Sequence, residues 1–287
     1  MTPVSIFNDV IGPVMRGPSS SHCAAALRIG RLARDLMDGE ITEVLVEFDR
    51  AGSLPTTHES QGSDMGLFGG LLGWEADDER LPNSAQALAE AGIKLRIETV
   101  DVGDPHPNTY RLTLKNSRET HTLIAISTGG GMIEVIEIDG VPLSMDGGHH
   151  ETLIWCDADT PVCTLGLSEA DKSVCITHGL GDQQLIQVKS DRFVESDGSS
   201  VKRLSPVLPV PSRKDLHVPF TSCAAMLAHD GAQNTPLWQL AIEYERARGN
   251  FTEAEVIAKM TDIVRILRKS IASGIAGTSY EDRVLHH

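Results

Sequence analysis

Aromatic residues are scarce in this 287-residue chain, at only 4%, so aliphatic side chains must build the core. Cysteine is scarce too. The 5 cysteines, Cys23, Cys156, Cys163, Cys175 and Cys223, are odd in number, scattered, and never spaced as CxxC. That excludes a disulfide framework or a zinc knuckle and fits reduced thiols. Basic residues are outnumbered: 25 Lys and Arg stand against 40 Asp and Glu, a net charge of -15. So acidic a surface repels phosphate backbones and anionic lipid, which removes nucleic acid and membrane surfaces from the expected partners. No apolar run reaches the roughly 18 residues needed to span a bilayer. The opening MTPVSIFNDV lacks a basic region followed by an apolar one, so export is not expected and a cytoplasmic location is.

The remaining composition is that of a globular protein, 40% hydrophobic with a mean hydropathy of -0.12. Gly17-Pro18-Ser19-Ser20-Ser21-His22 leads into an Ala- and Leu-rich stretch whose spacing predicts a helix over 24–37, stopped by Gly39. Val44, Val46 and Phe48 alternate with Leu45, Glu47 and Asp49 as a strand. Ser60 to Asp64 opens a stretch holding Gly66, Gly69, Gly70 and Gly73. Glycine weakens helices, so this density predicts close packing against backbone or ligand. Asn83 is expected to cap a helix over 84–91.

Strands are expected over 110–115, 121–127 and 133–138, then in a β-rich region at 152–156, 174–178, 185–189 and 201–210. Pro206, Pro209 and Pro211 mark a linker. The last 50 residues are helical in pattern. Thr235 is expected as an N-cap with Pro236 following, and Thr252 and Glu255 as a capping box. Val256, Met260, Ile263, Leu267 and Ile271 form one apolar stripe, Glu255 and Lys259 an i,i+4 pair, and Gly274 a stop. Residues 280–287 show no packing pattern.

Four groups could carry chemistry. In Ser19-Ser20-Ser21-His22, hydroxyls and free N–H groups converge at a helix N-terminus, where an anion such as a carboxylate is favoured and His22 can donate or move a proton. An ordinary serine-rich cap would look the same. Asp104-Pro105-His106-Pro107-Asn108-Thr109 is a proline-stiffened loop presenting His106 and Asn108, or else a plain turn before a strand. Gly129-Gly130-Gly131 allows a sharp turn or close backbone approach, but strand-like residues follow it, so it is no dinucleotide fingerprint. His149, His150, Cys156, Cys163, Cys175 and His178 match no standard metal spacing and read as a solvated histidine pair with packed thiols.

Taken in order, GPSSSH before an Ala-rich helix, Gly62-Ser63-Asp64 running into Gly70-Leu71-Leu72-Gly73, His106 to Thr109, and Gly129 to Gly131 resemble the β subunit of iron–sulfur L-serine dehydratases. The resemblance covers residues 4 to about 140. It implies an α/β (α+β) serine-dehydratase β-type domain over 1–140, a short ACT-like unit over 141–211, and a helical segment over 212–287 similar to the start of the family's α chain.

The implied reaction is β-elimination from L-serine or a related β-substituted amino acid or hydroxy acid, giving a 2-oxo acid. In the family an open iron of a [4Fe–4S] cluster polarises the leaving hydroxyl. The cluster cysteines lie in the α part, so no metal is expected on this chain and a cluster-bearing α-type partner is, within a higher hetero-oligomer. The resemblance assigns Ser19, Ser20 and Ser21 to the substrate carboxylate and Asp64, Asn108 and Thr109 to the opposite wall, with His22 and His106 catalytic.

Two positions depart from the family. Its Gly-His-Gly-Thr-Asp is Ser60-Gln61-Gly62-Ser63-Asp64 here, and its Ser-Ser-Ser-His-Thr ends in Cys23. Glutamine does not transfer protons near neutral pH, so His58 or His22 must replace that loop histidine if it is the base. A non-catalytic, amino-acid-binding regulatory subunit is the competing reading. A serine hydrolase is disfavoured, since no GxSxG elbow occurs.

Overall fold

The computed structural model describes residues 3–168, 175–197, 200–212 and 216–277. The chain divides into two compact units, Phe7–Lys214 and Met1–Ile6 with Asp215–His287.

The larger unit begins with α1 (Ser20–Leu36), which starts four residues before the expected helix, so Ser20, Ser21 and His22 form its first turn. β1 (Glu43–Asp49) pairs in parallel with β2 (Lys94–Val100). The crossover between them carries α2 (Leu54–Thr57), α3 (Ser63–Leu71) and α4 (Ser84–Glu90). β3 (Thr109–Lys115), β4 (Thr120–Gly129), β5 (Met132–Ile138) and β6 (Val141–Met145) follow as antiparallel neighbours. The sheet order is β2-β1-β3-β4-β5-β6.

Period-two alternation turns Val44, Val46 and Phe48, and likewise Leu112 and Leu114, into one core with Ala25, Ile29, Leu32 and Leu36 of α1. The glycines of α3 let it meet α1 backbone to backbone. A Cβ at Gly66 would lie 2.0 Å from the carbonyl oxygen of Cys23, and one at Gly70 2.1 Å from that of Leu27. Close packing, the expectation from glycine density, is thus packing against protein backbone. Asn83 makes no side-chain cap; a 3-10 turn, Leu81–Asn83, leads into α4 instead.

The second sheet is formed by β7 (His150–Asp157), β8 (Cys175–Leu180), β9 (Gln183–Ser190) and β10 (Ser200–Leu204), antiparallel in the order β10-β7-β9-β8. Leu153, Leu185 and Leu204 join the main core, whereas Ile154, Ile186 and Val188 pack with Leu165, Leu167 and Val194 in a smaller cluster. β10 stops before Pro206 rather than running to 210, because proline cannot donate to a ladder.

In the smaller unit, α5 (Cys223–Asp230), α6 (Leu237–Gly249) and α7 (Glu253–Ala276) follow one another. α6 holds the N-terminal residues. Buried Glu245 accepts from the amide of Ile6 at 2.5 Å and the hydroxyl of Ser5 at 3.2 Å, and Tyr244 donates to the Val4 carbonyl at 2.7 Å. Pro236, not Thr235, is the N-cap of α6. The Thr252/Glu255 capping box forms as read. Its carboxylate is engaged there, while Lys259 lies 5.0 Å over the Phe251 ring. α7 continues past Gly274; Leu267 and Ile271 of its stripe are exposed, and so is Ile275 one turn further on. Residues 280–287 lie outside the described residues.

Candidate functional site

One end of the six-stranded sheet collects the chemistry. β1 leaves the sheet at Asp49 beside Val100 of β2, and β3 enters it at Thr109 opposite Ile126 of β4. The serine-rich start of α1 arrives at the same end. The amide of Ser19 donates to the carbonyl of Gln61 at 3.1 Å, joining the two loops. The Gly129–Gly131 turn closes the β4–β5 hairpin with three positive φ values, and its Gly131 lies against Ala24 and Arg28 of α1.

Within the first loop, the Ser19 hydroxyl pairs with Nδ1 of His22 at 2.7 Å and makes no side-chain cap to the helix. The free amides of the first turn therefore remain as donors, with the positive end of the helix dipole behind them. The Ser20 and Ser21 hydroxyls stand in that turn.

The second loop carries a dyad. His58, at the end of α2, sets Nδ1 at 2.7 and 2.8 Å from the two carboxylate oxygens of Asp64. The loop between them turns through Gly62 at φ 79, where a Cβ would press Pro18 at 2.8 Å. Burial raises the Asp64 pKa, opposed by the bond from His58. The His58 ring packs on Phe48, 5.3 Å between centroids, and Phe48 packs edge-on against Tyr110 at 5.5 Å. The Tyr110 hydroxyl, the Ser63 hydroxyl beside it and the amide oxygen of Gln61 are buried here without a well-formed partner. Burial pushes the Tyr110 phenol up, and it pushes the Cys23 thiol up to about 11, so neither ionises near neutral pH.

The third loop is built from within. His106 Nδ1 accepts from the Asn108 amide at 3.2 Å, and the Thr109 hydroxyl donates to the His106 carbonyl at 2.7 Å. The Ser53 hydroxyl donates to the Asn108 side-chain oxygen, and the Ser53 amide to the Pro107 carbonyl at 2.9 Å. Asp104 pairs with Arg111 and offers its amide to Asp49 at 2.7 Å. Ser53 stands at the start of α2 and His58 at its end, which ties this loop to the dyad.

Ser19 thus meets both His22 and Gln61, and Asp64 meets His58, while His106, Asn108 and Thr109 form a separate loop joined through Ser53. Asn108 and Thr109 spend side-chain bonds on the loop itself. Tyr110 was not among the expected site residues. Its signal, a tyrosine beginning an alternating strand beside HPN, reads as core packing in sequence.

Among the described residues no group of three or more His, Cys, Asp or Glu is gathered as metal ligands. His149 and His150 are not a solvated pair. Both bury Nδ1, His149 lies 3.7 Å from Asp146, and His150 packs edge-on against Phe193 at 4.6 Å.

Comparison with known proteins gives a consistent result. The chain is 41% identical over 150 residues to the probable L-serine dehydratase β chain of Bacillus subtilis (strain 168), covering 52% of this chain and 67% of the relative. It is 35% identical over 157 residues to the L-serine dehydratase β chain of Peptoniphilus asaccharolyticus, covering 54% and 69%. No protein-family model matches the chain.

Proposed function

Because the chain belongs to the family of L-serine dehydratase β chains, we propose that it is the β-type subunit of a lyase. The lyase eliminates the β-substituent of L-serine or a closely related amino acid or hydroxy acid to give a 2-oxo acid. The observation carrying this reading is the joining of the serine-rich helix start to the His58–Asp64 loop through Ser19 and Gln61. An anion holder and a histidine held by a carboxylate stand side by side.

The substrate carboxylate lies on the first-turn amides of α1 and the hydroxyls of Ser20 and Ser21, with His22 as a further donor. His58 takes the α-proton. Its Nδ1 faces Asp64, which fixes the ring and stabilises the imidazolium formed, and among the described residues Nε2 has no hydrogen-bond partner. Asp64 in this reading orients the base rather than touching substrate. His106, with Nδ1 accepting from Asn108, keeps its proton on Nε2 as a donor to the departing group, while Asn108 and Thr109 hold that loop.

The family's [4Fe–4S] cluster finds no ligand set among the described residues, since the cysteines lie on separate elements. We assign it to an α-type partner chain in a hetero-oligomer. The exposed stripe Leu267, Ile271 and Ile275 supports such a partner, and residues 141–211 would serve as the ACT-like unit.

A second reading, an amino-acid-binding regulatory subunit without catalysis, is favoured by Gln61 standing where the family has histidine. One experiment separates them. The chain is purified anaerobically alone and with its α-type partner, and 2-oxo acid release is measured over a panel of β-substituted amino acids. Activity and iron only in the complex support the lyase. A chain that alone carries stoichiometric cluster, or a complex whose turnover does not need this chain, overturns it.

A further inference from the structure

We propose that the cavity between α1 and the segment Pro206–Pro209 binds a small carboxylate anion on the guanidinium of Arg28, at a site separate from the serine-rich loop. The cavity has a volume of about 390 Å³, enough for a small ligand. Arg28 and Arg31 of α1, the carboxylates Glu75 and Asp77, and Pro206–Pro209 are in its lining; Ser19, Ser20, Ser21, His58 and Asp64 are not.

Arg28 is the reason for the assignment. It is 2% exposed and among the largest fully enclosed side chains. A guanidinium carries five N–H donors. Among the described residues the single oxygen that Arg28 reaches is the carbonyl of Gly131, to which one terminal nitrogen donates, with the Met132 sulfur at 3.9 Å. The two carboxylates of the lining, Glu75 and Asp77, are both exposed, and Glu75 is paired with Arg31 instead. Burial pulls the Arg28 pKa down to about 10, with Glu75 opposing, as expected of a cation short of acceptors. Leaving such donors unmet is costly, and a planar carboxylate meets two of them at once. The remaining walls include Leu27, Val207 and Leu208, which suit a short apolar substituent. The inference does not rest on the lyase reading.

The test is calorimetric titration of the full chain with butyrate, and separately with inorganic phosphate. Butyrate has neither the amino nor the hydroxyl group of an amino-acid substrate. The expected result is one butyrate per chain. Arg28→Lys keeps the charge but loses the fork, and should weaken binding about tenfold or more. Glu75→Gln should tighten it, because the Arg31 guanidinium is released toward the cavity. Ser21→Ala should leave it unchanged. Absence of butyrate binding, binding of phosphate alone, or loss of butyrate binding in Ser21→Ala overturns the proposal. If circular dichroism shows that Arg28→Lys is unfolded, Glu75→Gln decides: unchanged or weaker binding overturns it.

Discussion

His58 and Asp64, six residues apart, meet side by side, with Nδ1 of the imidazole at 2.7 and 2.8 Å from the two carboxylate oxygens. Gly62, in the left-handed region between them, makes that turn possible. If His58 is the base, Asp64→Asn and His58→Gln should each lower kcat of the reconstituted complex by about 10²- to 10⁴-fold with little change in KM. The double variant should be no worse than the single ones, since the two act as a unit. Steady-state kinetics decide. Near-normal kcat in His58→Gln would remove it from the chemistry.

The serine-rich turn makes a different prediction. Hydrogen bonds to a charged group contribute about 1.5–3 kcal/mol each. Ser20→Ala or Ser21→Ala should therefore raise KM about ten- to a hundred-fold, each 1.4 kcal/mol being tenfold. Ser19→Ala acts through His22, whose Nδ1 it holds at 2.7 Å. It should mimic a milder His22→Ala, which lowers kcat/KM. Folded variants with unaltered kinetics would leave this loop a helix cap.

Helix packing should be intolerant of a single methyl group. A Cβ at Gly66 or Gly70 falls 2.0 or 2.1 Å from a carbonyl oxygen of α1, so the helices must separate. Overpacking costs about 1–3 kcal/mol and sometimes more. Gly70→Ala should lower the unfolding free energy read from urea denaturation by an amount at the upper end of that range, whereas Gly92→Ala, where no atom lies within 4 Å but φ is 77, tests backbone strain alone.

A pH dependence comes from Glu151. It is 1% exposed, and burial raises its pKa from 4.5 to about 7, against the opposing pull of Lys189 and the bond from Gln187. Its folded-state pKa lies above the unfolded value, so the folded chain holds a proton the unfolded chain has lost. The resulting stability is full below about pH 4.5, falls as pH rises, and is gone above about pH 7, a loss of roughly 3 kcal/mol. Glu151→Gln should flatten that slope in denaturation curves taken from pH 4.5 to 8. An unchanged slope would assign the pH dependence to other groups.

The exposed stripe of α7 offers a check on the partner. Leu267→Lys with Ile271→Lys should abolish co-purification with the α-type chain while circular dichroism stays the same, since both side chains are exposed at 55% and 62%. Undiminished co-purification would move the interface elsewhere.

By itself the sequence determined what is local. The strands around Val44, Leu112 and Val135, the helix after GPSSSH, and the Thr252–Glu255 box all follow from relations within a few residues, where periodicity and capping chemistry act. The ordered motifs also carried the family, because several short patterns in one order are specific together. Tertiary structure alone decided how these pieces meet. It put β1 between parallel β2 and antiparallel β3, and spent Asn108 and Thr109 on their own loop. It turned the glycines of α3 toward α1, and it enclosed Arg28, an ordinary helix residue in sequence, with an acceptor 103 residues away. Such meetings depend on register and on the depth to which helices settle against a sheet, and both are set by the sum of many distant contacts rather than by any local pattern.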